Sequence, residues 1–256
     1  VKQALAASRQ RFRRGASFLP MMFTTGNLFL GFWAIVRVLE GRYEHAAFLV
    51  LGAGILDMLD GRIARLTGTT SEFGAELDSL ADLISFGAAP ALLAYAWGFP
   101  SVPRAAWALA FIFVACGAMR LARFNIQRQV VDGRHFVGLP IPAAAGQLAT
   151  LVVFHPEGLR QPVERGLAVA LVLTLSFLMV STFRYPSFKG FDLRSRRSYL
   201  SVLPIAVGIA VLVLHHEVML LALATAYTLS APTVHALGLL RRRGGPPPAP
   251  ATGPAR

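Results

Sequence analysis

The sequence predicts an all-α fold, a polytopic bundle of membrane-spanning helices with both termini on the cytoplasmic side. Three observations lead there. The 256 residues are 55% hydrophobic and 15% charged, with a mean hydropathy of +0.55, too apolar for a domain whose surface meets only water. The apolar residues gather into segments, most of them near the roughly 20 residues that a helix needs to cross a hydrocarbon layer of about 30 Å. The lysines and arginines alternate from one connecting segment to the next, as the positive-inside rule requires.

Eight apolar segments lie near residues 20–38, 45–66, 75–97, 105–125, 138–155, 165–183, 199–216 and 218–239. The first follows a basic arm holding Lys2, Arg9, Arg11, Arg13 and Arg14, with no small-residue cleavage site after it, and is expected to be a retained span rather than a signal peptide. The second ends in Asp57 and Asp60, and the third begins with Asp78 and Asp82. The fourth runs into Arg120, Arg123 and Asn125. The fifth is the weakest, because Pro140 and Pro142 leave an uninterrupted apolar run of only Ile141 to Phe154, which suits a short or re-entrant helix and sets the expectation at six to eight spans. The last two form a C-terminal pair. Beyond them residues 241–256 are rich in Pro, Gly and Ala after an arginine run and are expected to be disordered.

With the N-terminus inside, 20 of the 25 basic residues fall on the cytoplasmic side, and only Arg37, Arg42, Arg104, Arg160 and Arg165 fall opposite. The net charge of +12 is then explained by topology and by attraction to anionic lipid headgroups. No nucleic-acid partner is expected, since that would need the charge collected on a water-facing surface. The single cysteine, Cys116, allows no internal disulfide and no cysteine-based metal site. Trp33, Trp97 and Trp107 are placed at the non-cytoplasmic interface, where aromatic belts form. The six histidines are scattered without metal-binding spacing.

The acids are the anomaly. Of thirteen, six (Asp57, Asp60, Glu72, Glu76, Asp78, Asp82) fall within 26 positions around one short loop. An aspartate at membrane depth costs about 2.5–3.5 kcal/mol, so function is its default explanation. At about 100° per residue, Asp57, Asp60, Gly61 and Ala64 share one helical face, and Gly74, Asp78, Asp82 and Ser85 share a face of the next helix. The small residues on these faces permit close approach of a helix or a ligand. Four converging carboxylates would repel one another by roughly 4 kcal/mol per pair at 4 Å and an effective dielectric of about 20, so a cation is expected among them. All-oxygen ligation points to Mg²⁺ or Mn²⁺, with Ca²⁺ as a substitute. Glu72 and Glu76 read instead as exposed residues of the loop and helix start.

Written as a pattern, Asp57-x-x-Asp60-Gly61-x-x-Ala64-Arg65, eight residues, then Gly74-x-x-x-Asp78-x-x-x-Asp82, this segment resembles the signature of the CDP-alcohol phosphotransferase family, with every signature position filled. Further segments, Phe23 to Gly31, Glu76 to Pro90, Arg120 to Asn125 and Phe136 to Pro142, resemble its bacterial, membrane-integral branch that uses L-serine as acceptor. The likeness covers roughly residues 18–190 and is less clear in the last two spans. It implies an enzyme of phospholipid biosynthesis, with an N-terminal arm over 1–17, a membrane catalytic domain over 18–240 and a tail over 241–256. The reaction implied is attack of an alcohol oxygen on the phosphorus that bears diacylglycerol, with CMP leaving. By the same resemblance Asp57, Asp60, Asp78 and Asp82 are metal ligands, and Asp82 is also the general base for the serine hydroxyl. Asn27, Asp60, Gly61, Ala64, Arg65, Gly74 and Asp78 border the CDP-diacylglycerol, and the chain is a homodimer in the bacterial inner membrane with its site facing the cytoplasm. For the acceptor site the candidates are Ser85, Arg120, Arg123 and Asn125, because an arginine fork can hold the serine carboxylate bidentately.

Two other readings compete. Another acceptor of the same family (glycerol phosphate, inositol phosphate or choline) would suit the signature equally, although a phosphorylated one calls for extra basic residues. A divalent-cation transporter would place the acids near the bilayer midplane, commonly within an internal repeat. Here they lie at one boundary and no repeat is found.

Overall fold

The computed structural model describes residues 2–67, 71–99, 103–127, 135–186 and 214–243. Helix α1 (Lys2–Leu39) carries the basic arm and the first apolar segment in one piece and is followed by α2 (Tyr43–Thr67). Then come α3 (Glu72–Asp82), a π-helical turn (Leu83–Ala88) and α4 (Ala89–Gly98), which run on without a break. Beyond these lie α5 (Pro103–Gln127), α6 (Ile141–Phe154), α7 (Pro162–Val180) and α8 (His216–Arg243).

Among the described residues, five stretches are long and apolar enough to cross a bilayer: Met21–Leu39, Glu72–Gly98, Arg104–Ile126, Pro162–Val180 and His216–His235. The chain is accordingly an integral membrane protein with a helical membrane domain. Helix α2 matches α5 in length but carries five charged residues, Glu44, Asp57, Asp60, Arg62 and Arg65, against three in α5. Helix α6 spans the run between the two prolines and Phe154 that the sequence marked as short. Its 14 residues extend only about 21 Å, and protein rather than lipid surrounds it: Ile141, Ala144, Ala145, Leu148, Ala149, Val152 and Val153 are all buried. Most of the segment expected at 199–216, and the tail from residue 244, lie outside the described residues.

Local chemistry sets the ends of these helices. Gly41 lies at φ 72° between α1 and α2, and its N–H donates to the Val38 carbonyl at 3.0 Å, a left-handed stop that glycine adopts without a Cβ penalty. Ser71 caps α3 by accepting from the Gly74 N–H at 3.0 Å. At the start of α7, Glu164 accepts from the N–H groups of both Arg160 and Gln161, each at 3.0 Å, with Pro162 in the first turn.

The core is built largely from alanine. Ala34, Ala46, Ala47, Ala53, Ala89, Ala144, Ala145 and Ala149 are fully buried. Small side chains bring helix backbones close where lipid offers no hydrophobic driving force between them.

The described residues depart from the sequence expectation in two places. The all-α prediction holds for the membrane part, but a short antiparallel ladder joins β1 (His135–Val137) to β2 (Arg184–Pro186), with Phe136 opposite Tyr185. Gly138 follows at φ 80°, where a Cβ would lie 2.4 Å from the Met179 carbonyl, so the ladder seats directly on the end of α7. Trp97 is the second departure. It is 4% exposed rather than part of an aromatic belt, because its indole N–H donates to the His155 carbonyl at 2.8 Å and ties α4 to the end of α6. Trp33 and Trp107 are exposed, as a belt position requires.

Candidate active site

Asp57 and Asp60 sit on α2 and Asp78 on α3, and the two acidic faces meet. One carboxylate oxygen from each of the three lies within 4.8 Å of the others. Asp60 is buried, and Asp57 and Asp78 are half-buried. Oxygen ligands of a single cation bound at about 2.0–2.6 Å stand at most about 4–5 Å apart, so the donor set fits one divalent ion. With nothing between them, each pair would repel by roughly 4 kcal/mol at 4 Å and an effective dielectric of about 20. The Thr24 hydroxyl of α1 donates to Asp60 Oδ2 at 3.0 Å and holds that carboxylate in place.

Asp82, one turn beyond Asp78, is not in this group of three. Its Oδ1 accepts from the Asn27 side-chain amide at 3.3 Å, which turns it toward α1. It still lies in the electrostatic field of Asp57, Asp78 and Asp60. The π-helical turn starts at the next residue, and its widened hydrogen bond runs from the Ala89 N–H to the Ile84 carbonyl. Pro90 offers no N–H, and in a regular α-helix its ring would press on the carbonyl of Phe86, which favours a wider turn just before it. The turn delivers Ser85 against α1. The Ser85 hydroxyl donates to the Asn27 backbone carbonyl at 2.9 Å, and the approach is so close that a Cβ on Gly31 would stand 2.6 Å from Ser85 Cα. Asn27 and Ser85 are both fully buried.

The remaining candidates divide. Arg120 is buried, with its Cζ 5.8 Å from the Phe124 ring centroid, and lies in electrostatic range of Asp82, Tyr227 and Asp57. Arg123 instead donates from Nη1 to the Val180 carbonyl at 3.2 Å, closing the end of α7. The Asn125 amide donates to the Ser79 hydroxyl at 2.9 Å and braces α5 against α3 beside Asp78. Gly61 is half-buried next to Asp60, and a Cβ on Gly74 would first meet the Ser71 hydroxyl at 3.0 Å. The side chains of Ala64 and Arg65 lie outside the described residues. Thr24, Gly31 and Tyr227 were not singled out from sequence. Thr24, Asn27 and Gly31 follow one another at helical spacing, and that is the signal by which the first two additions could have been found.

Comparison with known proteins places the chain among relatives. A family model described as CDP-alcohol phosphatidyltransferase matches residues 17–182. A relative from Helicobacter pylori named CDP-diacylglycerol–serine O-phosphatidyltransferase is 44% identical over 172 residues, covering 66% of this chain and 72% of its own. One of the same name from Bacillus subtilis is 34% identical over 173 residues, covering 68% and 92%. A relative from Methanothermobacter thermautotrophicus named archaetidylserine synthase is 36% identical over 176 residues, covering 67% and 71%.

Proposed function

The chain belongs to the CDP-alcohol phosphatidyltransferase family, and from that premise we propose that it transfers the phosphatidyl group of CDP-diacylglycerol to L-serine, forming phosphatidylserine and releasing CMP. The observation that carries the reading is the cluster of Asp57, Asp60 and Asp78, sized for one divalent cation and placed where α2 and α3 face each other. Serine as acceptor is supported by the names of the bacterial relatives.

In this reading Asp57, Asp60 and Asp78 hold Mg²⁺ or Mn²⁺, with Ca²⁺ as a substitute, and Asp82 stands in their electrostatic field without being needed to hold the ion. Bound there, the cation would draw together the pyrophosphate oxygens and neutralise charge that develops on departing CMP. Asp82 takes the proton of the serine hydroxyl. An ordinary aspartate is a weak base for an alcohol, so position matters more than intrinsic basicity, and the Asn27 amide supplies that position by fixing Oδ1 and leaving the other oxygen for the substrate. Thr24 orients Asp60 in the same way. Asn27, Gly61, Ala64, Arg65 and Gly74 border the liponucleotide. Arg120 faces the acceptor, with Ser85, Arg123 and Asn125 as supports of that side.

The same reading places eight spans in the bacterial inner membrane, both termini and the site on the cytoplasmic side, and two copies in the working enzyme. The deciding assay follows radiolabelled serine into lipid in membranes that contain this chain, CDP-diacylglycerol and Mn²⁺ or Mg²⁺. Serine-dependent release of CMP is the expected result. Release that depends on glycerol phosphate, inositol phosphate or choline instead would assign a different acceptor.

A further inference from the structure

Arg120 is 7% exposed, so its guanidinium has left water, yet its Nε has no hydrogen-bond partner among the described residues. A buried charged donor in that condition is costly unless something else completes it. Nε matters chemically, because a carboxylate that approaches an arginine side-on takes Nε–H and one Nη–H together. Asp82 and Asp57 lie in electrostatic range of Arg120, but neither accepts a hydrogen bond from Nε.

Tyr227 lies in electrostatic range of Arg120 and comes from α8, a helix outside the 17–182 stretch that the family model matches. Only 11% of the α8 span is buried, yet one stretch of it is pinned. Gln147 of α6 donates to the Thr225 hydroxyl at 3.1 Å and accepts from the Thr228 hydroxyl at 3.4 Å. The Tyr185 hydroxyl donates to the Thr228 carbonyl at 3.0 Å, and the Tyr185 and Tyr227 rings lie 5.7 Å apart. These polar contacts between buried elements hold α8 at the level of Tyr227, as side-chain hydrogen bonds do between membrane helices. A helix that is otherwise little buried is thus anchored at Tyr227, which lies in electrostatic range of Arg120.

We propose that Arg120 and Tyr227 form the receptor for the acceptor's carboxylate, with Arg120 as the charged fork and Tyr227 as the positioning residue that sets its orientation. A phenolic oxygen can accept from one Nη–H, which leaves Nε–H and the second Nη to face the ligand. The location suits an α-amino acid, whose hydroxyl-bearing carbon is attached to the carbon that carries the carboxylate. A carboxylate held at Arg120 therefore brings the hydroxyl toward Asp82. Acceptor selectivity then resides partly in α8, beyond the signature helices.

The proposal rests on the reading of serine as acceptor, and the two are separated by experiment. Wild-type membranes are assayed first, and absence of serine-dependent CMP release would sink the acceptor reading before any variant is made. Given wild-type transfer, Tyr227→Phe keeps the ring against Tyr185 and removes the hydroxyl. The KM for serine should rise about fivefold to tenfold while the KM for CDP-diacylglycerol stays constant, the size expected when a bidentate contact loosens to a point-charge one. Arg120→Lys should shift the same KM further, and the double variant should be no worse than Arg120→Lys alone, because both act through one fork. KM does not depend on how much folded enzyme is present, and if Tyr227→Phe fails to accumulate, Tyr227→Trp is read in the same way. An unchanged KM for serine overturns the proposal. So does an equal rise in both KM values, which would mean that the fork serves the pyrophosphate of the liponucleotide.

Discussion

One carboxylate oxygen from each of Asp57, Asp60 and Asp78 lies within 4.8 Å of the others. The arrangement repels itself unless a cation or a proton is shared among the three acids, and the proposed function supplies a cation. Replacing any of them by asparagine keeps the shape and removes the charge that binds a divalent ion. Asp57→Asn, Asp60→Asn and Asp78→Asn are each expected to lower kcat by about a hundredfold or more, the loss typical of removing one electrostatic contact to a transition state. Asp82→Asn should also lower kcat, by loss of the base, while leaving the apparent affinity for metal close to that of wild type. Metal titrations of CMP release on the four variants check this. Wild-type kcat in any of the first three, at saturating metal, would remove that residue from the ligand set.

At the scale of elements, the site depends on how α1 meets the π-helical turn. Gly31 is the contact point, where an added Cβ would stand 2.2 Å from Ser85 Oγ and 2.6 Å from its Cα. The second of those atoms is backbone and cannot swing away. Gly31→Val is therefore expected to push the helices apart, costing about 1–3 kcal/mol of stability as overpacking does. It should also lower kcat, since the displacement carries Asn27 away from Asp82. A lower melting temperature in detergent together with reduced turnover would bear this out. Full activity at unchanged stability would show that the approach of α1 to Ser85 is not needed. Gly52→Ala is the comparison, because a Cβ there meets only the end of the Leu30 side chain, at 3.4 Å.

For the whole molecule, the acids join two helices that are otherwise tied to the bundle by small-residue packing. A ligand that bridges α2 and α3 binds the folded state alone and stabilises it by mass action, about 2.7 kcal/mol at a hundred times its dissociation constant. Purified protein stripped with EDTA should thus melt lower, and Mn²⁺ or Mg²⁺ should restore both its melting temperature and its activity. In Asp60→Asn the metal-dependent shift should disappear, and in Asp82→Asn it should remain. A shift of equal size in all variants would place the stabilising ion elsewhere.

Much of this was legible in the sequence, for reasons that lie in local chemistry. Hydropathy marks spans because lipid selects for it residue by residue, and two prolines at the start of a short apolar run foretold α6. The aspartate spacing foretold which carboxylates would share a face, because residues three or four apart lie on one side of a helix whatever surrounds them. Membership of the cluster was decided elsewhere. Asp82 obeys the same periodicity as Asp78, yet the Asn27 amide turns it away from the group of three, a contact across 55 positions of chain that no local pattern encodes. The widened turn after Asp82 likewise follows from Pro90 and from the approach of Gly31, and the second of these exists only once α1 is packed. Trp97 read as an interface residue from its place at a span end, but the His155 carbonyl that holds it inside becomes available only where α6 ends short. Tyr227 shows the limit most clearly, since its relation to Arg120 depends on where three polar contacts pin a helix more than a hundred residues away. The sequence by itself determined the membrane setting, the family and the acidic pair of helices, all governed by short-range spacing. Only the tertiary structure decided which side chains share a pocket, because that is set by distances between helices that the chain does not place side by side.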